Sequence, residues 1–106
     1  MRFVVVAETD DAALAIAEAA YPKWHESFNT LYRKYGRGPV QGERPRTFAG
    51  VIENGTGIAG SAETVWRFLD AQARRTDSNY VVGQFAFGDM KHDDTVRSIE
   101  LFARNV

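Results

Sequence analysis

Apolar and polar positions along the chain predict three strand–helix units. Short, nearly continuous apolar runs occur at residues 2–7, 57–60 and 80–87, and such runs are typical of strands that are covered on both faces. Each run is followed by polar capping residues and an amphipathic stretch, which predicts a helix. Because strands alternate with helices, we expect a parallel sheet with right-handed crossovers. The sequence therefore predicts an α/β fold of order βα(α)–βα–βα.

The first predicted helix contains a proline. Thr9 and Asp10 are candidate caps, and an alanine-rich stretch follows at residues 12–20, which has high helix propensity. Pro22 has no backbone donor, so we expect a kink or a new helix start near Tyr21. Beyond it, four large apolar residues at helical spacing predict one face of a second helical segment; they are Trp24, Phe28, Leu31 and Tyr35.

Residues 36–46 are rich in glycine, proline and arginine and predict a surface loop. Arg37, Arg44 and Arg46 are open to two interpretations. Guanidinium groups can clamp an anionic ligand, or the three charges can simply keep a surface loop in water. Thr47 then predicts the start of a short helix that has Gly55 just past its end, with a strand over residues 48–53 as the alternative.

The remaining two helices are predicted from a cap and from apolar spacing. Ser61 is placed to cap the helix after the second strand, and Glu63 lies in its first turn, where the helix dipole favours negative charge. The apolar face of that helix contains Val65, Phe68 and Leu69. For the last helix, the spacing predicts an inner face composed of Val96, Ile99, Phe102, Ala103 and Val106.

Composition restricts the class of protein. The chain has 106 residues, a formal net charge of -1 and no cysteine, so we expect one domain and no nucleic-acid or anionic-membrane partner. The absence of cysteine excludes disulfides and a thiol nucleophile, and it agrees with a cytoplasmic location. The apolar run at residues 2–7 is too short for a signal peptide or a membrane helix.

Three segments together resemble a known family. They read FVVVAETDDA at residues 3–12, GIAGSAETV at residues 57–65 and RSIELFARNV at residues 97–106. In this order and at these separations they resemble the C-terminal portion of the bacterial luciferase-like flavin monooxygenases, and the resemblance covers essentially the whole chain. Two positions depart from the family pattern. Ala62 stands where the family usually has proline, and Val106 is the last residue where the family usually continues to a proline.

The resemblance implies a fold and a cofactor. The family is built on a TIM (β/α)8 barrel, which takes about 250 residues, so this chain corresponds to the last three strand–helix units. In the family, reduced FMN, or a deazaflavin in some branches, is held at the C-terminal ends of the strands and O2 is activated there. Most residues that hold the flavin lie upstream of the part present here. We therefore expect a fragment or shortened member of these oxidoreductases that is inactive alone.

The barrel interpretation also indicates candidate site residues, which belong to turns after the strands. Gly60 and Ser61 lie at a helix N-terminus, where backbone amides can receive a flavin phosphate; the alternative is that Ser61 only caps its own helix. His92, just before the last helix, is the candidate general base, and the alternative is a solvent-exposed residue. His25 and His92 are the only histidines and are far apart, so no metal site is expected.

An isolated three-stranded piece of a barrel has two open edges and an apolar face without cover. We therefore expect the chain to form a homo-oligomer, most simply a dimer, or to pair with the remainder of a barrel. Two alternatives to the flavoenzyme interpretation stay open at this stage. One is a non-catalytic, self-associating assembly module. The other is a stand-alone α/β dimer whose likeness to the family is coincidental, for which an antiparallel sheet would be the sign.

Overall fold

Three strands and four helices make up the chain in the computed structural model, which describes all residues 1–106. In chain order they are β1 (Arg2–Val6), α1 (Asp10–Lys34), α2 (Phe48–Glu53), β2 (Gly57–Gly60), α3 (Ala62–Thr76), β3 (Gly83–Gln84) and α4 (His92–Asn105). The predicted α/β class and the predicted order of strands and helices are confirmed. None of the helices combines the length and the apolar content that crossing a membrane requires.

Strand β1 lies in the middle of the sheet, and the strand order is β2-β1-β3. Both neighbours pair with it in parallel: Val6 is aligned with Gly60 of β2, and Phe3 is aligned with Gln84 of β3. No antiparallel pair occurs. In three consecutive units of a barrel, β2 would instead lie between β1 and β3. The parallel sheet is thus confirmed, whereas the strand order differs from that of a barrel segment.

Helices cover both faces of the sheet because the direction of the crossovers reverses. The connection from β2 to β3 runs back across β1, and right-handed crossovers in opposite directions place their helices on opposite faces. Helices α1 and α2 pack on the face that presents Phe3 and Val5. Helices α3 and α4 pack on the face that presents Val4 and Val6. The two-sided cover explains why β1 is apolar at four consecutive positions.

Aromatic side chains around Tyr21 fill the first face. The ring centroids of Phe3, Trp24 and Phe48 lie 5.7, 5.4 and 5.8 Å from that of Tyr21. Tyr21 is fully buried, and its hydroxyl donates a hydrogen bond of 2.6 Å to the carbonyl oxygen of Pro45. Burial raises the pKa of Tyr21 above its ordinary value. This hydrogen bond satisfies the buried phenol and ties the 36–46 loop to the core.

Helix α1 continues through its proline, so the predicted new helix start near Tyr21 does not occur. Pro22 lies inside the helix and is exposed. The residues on either side of it, Tyr21 and Trp24, both pack against Phe3. These contacts support α1 on both sides of the proline and offset the hydrogen bond that proline cannot make.

The predicted aromatic face of α1 is only partly buried. Trp24 packs on the core and Phe28 stacks on Trp24 with ring centroids 4.9 Å apart, but Leu31 and Tyr35 are 63% and 67% exposed. A helix of 25 residues is about 37 Å long at 1.5 Å per residue. It therefore extends past the five-residue strand that it packs on, and its last turns have no sheet beneath them.

Strand β3 comprises only Gly83 and Gln84, so the prediction of a strand over residues 80–87 is too long. Phe87 leaves the sheet and stacks on Phe48 in the aromatic core, with ring centroids 5.8 Å apart. On the edge of β1 that faces β3, the backbone amide of Val6 donates to the hydroxyl oxygen of Ser98 instead of to a strand. The pairing between β1 and β3 thus ends before Val6, where Ser98 of α4 accepts the hydrogen bond in place of a strand.

The inner face of α4 differs from the predicted one. The buried residues are Ser98 and Leu101, while Val96 and Ile99 are 39% and 46% exposed. Of the predicted set, Phe102 packs inward, with its ring centroid 5.0 Å from that of Phe85. The prediction failed because a polar residue, Ser98, fixes the orientation of the helix, and an apolar period gives no sign of it.

The predicted loop and short helix are confirmed. Residues 36–46 contain neither helix nor strand. The hydroxyl of Thr47 accepts a hydrogen bond of 3.2 Å from the amide of Gly50 and caps α2. Phe48 and Val51 of this helix are buried, so the helical interpretation of residues 48–53 holds over the strand alternative.

Candidate functional site

The C-terminal end of β1 is where the three segments that carry the family resemblance meet. The turn after β1 contains Glu8, the turn after β2 contains Ser61, and the second turn of α4 contains Arg97 and Ser98. Side chains from one segment bond to another across sequence separations of 51, 89 and 92 residues. We call this cluster the motif junction.

The first connection of the motif junction is between Asp10 and Ser61. The backbone amide of Ser61 donates a hydrogen bond of 2.7 Å to Oδ1 of Asp10. Hydrogen bonds from this amide and from the Thr64 side chain lower the pKa of Asp10 below its ordinary value, because they favour the charged carboxylate. The hydroxyl oxygen of Ser61 accepts a hydrogen bond of 3.4 Å from the Thr64 amide and so caps α3.

Gly60 is required at the motif junction by close packing. A Cβ atom at this position would lie 2.7 Å from Cγ2 of Thr64 and 2.9 Å from Oδ1 of Asp10. Both distances are shorter than real contacts of a Cβ atom. The glycine in the GIAGS segment therefore allows the first turn of α1 to approach the first turn of α3.

The second and third connections join β1 to α4. The hydroxyl oxygen of Ser98, which is fully buried, accepts a hydrogen bond of 2.8 Å from the amide of Val6. The guanidinium of Arg97 forms an ion pair with Glu8 and donates from Nε to Oε1 at 2.9 Å. The hydrogen bond and the charge of Glu8 raise the pKa of Arg97 above its ordinary value.

The structure places His92 apart from the motif junction. It is the exposed first residue of α4 and makes no side-chain hydrogen bond, and the helix begins without a side-chain cap. In the turn before His92, Gly88 has a φ of 61° and packs closely against the carbonyl oxygen of Ala20. The His92 side chain has no hydrogen-bonded acid or base beside it.

The candidate residues at the motif junction thus have structural roles, and the sequence alone did not distinguish these roles from ligand binding. Ser61 caps α3, as the alternative interpretation had it, and its own amide is already bonded to Asp10. Asp10 was predicted as a helix cap in a turn of the functional face and not as a partner of Ser61, and Ser98 was not among the predicted site residues. Nowhere do three or more histidine or carboxylate side chains come together in a way that could hold a metal ion.

The arginines of the 36–46 loop divide into two groups. Arg37 borders an open apolar cleft with Phe28, Leu31 and Tyr35. Arg44, with Arg46 close by, lines a polar cleft of about 440 Å³ against the outer half of α1. This second cleft lies beyond the N-terminal end of the sheet, away from the motif junction, because α1 runs down from the C-terminal end of β1.

Comparison with known proteins gives one informative relative. Over 93 residues the chain is 33% identical to an uncharacterized protein, y4wF, of Sinorhizobium fredii. The match covers 88% of this chain and 27% of that protein. The chain therefore spans about a quarter of the length of this curated relative. No protein-family model matches the chain, and no solved structure matches it.

Proposed function

We propose that the chain is a fragment or shortened member of the luciferase-like flavin-dependent monooxygenases and that it is inactive alone. The observation that carries the proposal is the motif junction. The segments that resemble the family bond directly to one another through Asp10, Ser61, Arg97 and Ser98. A shared structural role gives a physical reason for these residue types to occur together at these separations.

The residues present do not fit a flavin phosphate at the turn after β2. The amide of Ser61 is one donor that an anion could use there, beside the amides of the first turn of α3, but it already bonds to the carboxylate of Asp10 at 2.7 Å. A phosphate would have to displace this carboxylate and would meet its negative charge. The chain also offers no acid–base partner for His92. For these reasons we derive no catalytic step from this chain.

In a complete barrel β3 would have to lie beside β2, whereas in this chain it lies beside β1. In a barrel the third strand pairs with the second, and the outer edge of β2 is open in this chain. Since 93 residues make up 27% of the relative, that protein is about 340 residues long, which is enough for a barrel of about 250 residues. We propose that the remaining segments of such a longer protein supply the flavin site. In their presence β3 would pair with β2 and not with β1.

A paired flavin titration tests this proposal. Purified chain and purified full-length y4wF protein are titrated with oxidised and reduced FMN, followed by flavin fluorescence, and O2 consumption is recorded for both. We expect binding, and O2 consumption faster than that of free reduced FMN, by the longer protein and neither by this chain. If neither protein binds flavin, the family assignment fails. If this chain binds flavin and consumes O2 by itself, the inactivity that we propose is wrong.

A second candidate function is self-association without catalysis, and exposed apolar side chains favour it. Trp66, Tyr80 and Val81 are 48%, 80% and 48% exposed and border one shallow cleft together with Phe102. A second cluster lies at the end of α1. Such clusters often mark contacts with another chain. Light scattering on the purified chain tests this: a dimer mass supports an assembly module or a homo-oligomer, and a monomer mass across micromolar concentrations opposes it.

A further inference from the structure

The polar cleft between α1 and the 36–46 loop carries positive charge that the chain does not neutralise. Its lining contains three arginines, one carboxylate and two further polar side chains: Arg33, Arg44, Arg46, Glu43, His25 and Asn29. With the histidine neutral, these side chains have a formal charge of +2. The ion pairs of the chain are all elsewhere, on Arg67, Arg74 and Arg97. None of the cleft arginines is paired with a carboxylate, although Glu43 is close by.

Arg44 supplies a buried donor without an acceptor. Its Nε atom is buried and makes no hydrogen bond, which is uncommon because a buried polar atom without a partner costs stability. Its guanidinium lies over the ring of Phe28, 5.7 Å from the centroid, and Nη2 reaches Gln41 at a long 3.3 Å. The side chain is therefore held in place by stacking on Phe28 and by the long bond to Gln41, and no carboxylate neutralises its charge.

Local packing keeps the wall of the cleft in place. Ring atom Nε2 of His25 lies 3.3 Å from the carbonyl oxygen of Arg44, and the Asn29 side chain donates to the carbonyl oxygen of His25 at 2.8 Å. The adjacent Pro45 carbonyl accepts the hydrogen bond of the buried Tyr21 hydroxyl. The loop is thus anchored to α1 at Arg44 and Pro45, immediately beside guanidinium groups that no carboxylate neutralises.

From this arrangement we propose that the cleft binds a small polar phosphomonoester. A phosphate dianion offers several acceptor oxygens, which suits guanidinium groups that approach from both α1 and the loop. A volume of about 440 Å³ leaves space for an organic substituent beside the phosphate. The polar lining, with Glu43 able to accept from a hydroxyl group, fits a hydroxylated substituent. This inference does not depend on the proposed function, because the cleft lies at the other end of the sheet.

Titration with glycerol 3-phosphate tests the site. Binding is followed by amide chemical shifts and by calorimetry at constant ionic strength, with inorganic phosphate, acetate and chloride as comparison anions. We expect saturable binding whose shift changes map to residues 22–46, with phosphate weaker and acetate and chloride without effect. Because a hydrogen bond to a charged group is strong, Arg44→Gln and Arg46→Gln should each weaken binding about tenfold or more.

Two further variants separate a built site from general attraction. Arg44→Lys keeps the charge but removes the planar guanidinium that can bind phosphate oxygens in pairs, and we expect it to weaken binding as well. Arg75→Gln removes one positive charge from the exposed end of α3 and should change the affinity less than twofold. Arg46 is exposed and makes no hydrogen bond, so its variant should fold normally. Absence of saturable binding, or an equal loss in the Arg75 variant, would overturn the proposal.

Discussion

The hydrogen bond between Ser98 and Val6 allows the clearest quantitative prediction. Ser98→Ala removes the only partner of a buried amide that now has a bond of 2.8 Å. Leaving a buried donor without a partner costs about 1–3 kcal/mol. Alanine returns about 0.5 kcal/mol through its higher helix propensity. We therefore expect a net loss of about 0.5–2.5 kcal/mol in the free energy of unfolding, which is a large share of the total for a chain of this size.

Urea unfolding followed by far-ultraviolet circular dichroism measures this loss. With an m-value of about 1–3 kcal/mol/M, the midpoint should fall by about 0.2–2.5 M while the slope stays the same. Ser27→Ala is the matched control, since Ser27 is an exposed residue of α1 without a side-chain hydrogen bond. The control should be equal to the original chain or slightly more stable. Equal stability of the Ser98 and Ser27 variants would refute the reasoning.

Two further predictions concern a carboxylate and a glycine. Because its folded-state pKa is lowered, Asp10 contributes stability that is fully present above its unfolded value of about 3.9 and is lost as the pH falls through the folded value. In Asp10→Asn the free energy of unfolding should therefore fall less between neutral and acidic pH than in the original chain. Urea midpoints at a series of pH values measure this. Gly88→Ala should cost more than about 2 kcal/mol, since the residue has a φ of 61° that strains other residues, and its Cβ would overlap the Ala20 carbonyl oxygen.

Matched controls exist for both predictions. Asp11→Asn removes a neighbouring carboxylate from the same helical turn. The decrease in its free energy of unfolding at acidic pH should equal that of the original chain. Gly38→Ala adds a methyl group where no atom lies within 4 Å and should change the midpoint very little. An unchanged decrease at acidic pH in the Asp10 variant, or a stable Gly88 variant, would contradict the contacts described above.

Much of the fold could be predicted from local sequence. The caps at Thr9, Thr47 and Ser61 accept the hydrogen bonds that were expected of them. The apolar run of β1 correctly predicted a strand covered on both faces. These features depend on residues that are close in sequence, so a short stretch contains the information that determines them.

The misses depend on contacts between distant residues. The hydrogen bond from the Val6 amide to Ser98 lies where β3 ends and on the buried face of α4, and a serine within an amphipathic helix gives no sign of such a bond. Helix α1 tolerates Pro22 because Phe3, from another element, supports both sides of it. At the motif junction, the sequence indicated Ser61 as an anion site but not that Asp10 occupies its amide.

Whether the Ser61 amide is free for an anion determines the functional interpretation most directly. The measurement is the proton chemical shift of this amide as a function of pH. The structure predicts that the shift follows the ionisation of Asp10, with a midpoint below the ordinary value of 3.8, and that the change disappears in Asp10→Asn. A shift that does not change with acidic pH, or that moves when phosphate is added at neutral pH, would contradict a turn closed by the chain's own carboxylate.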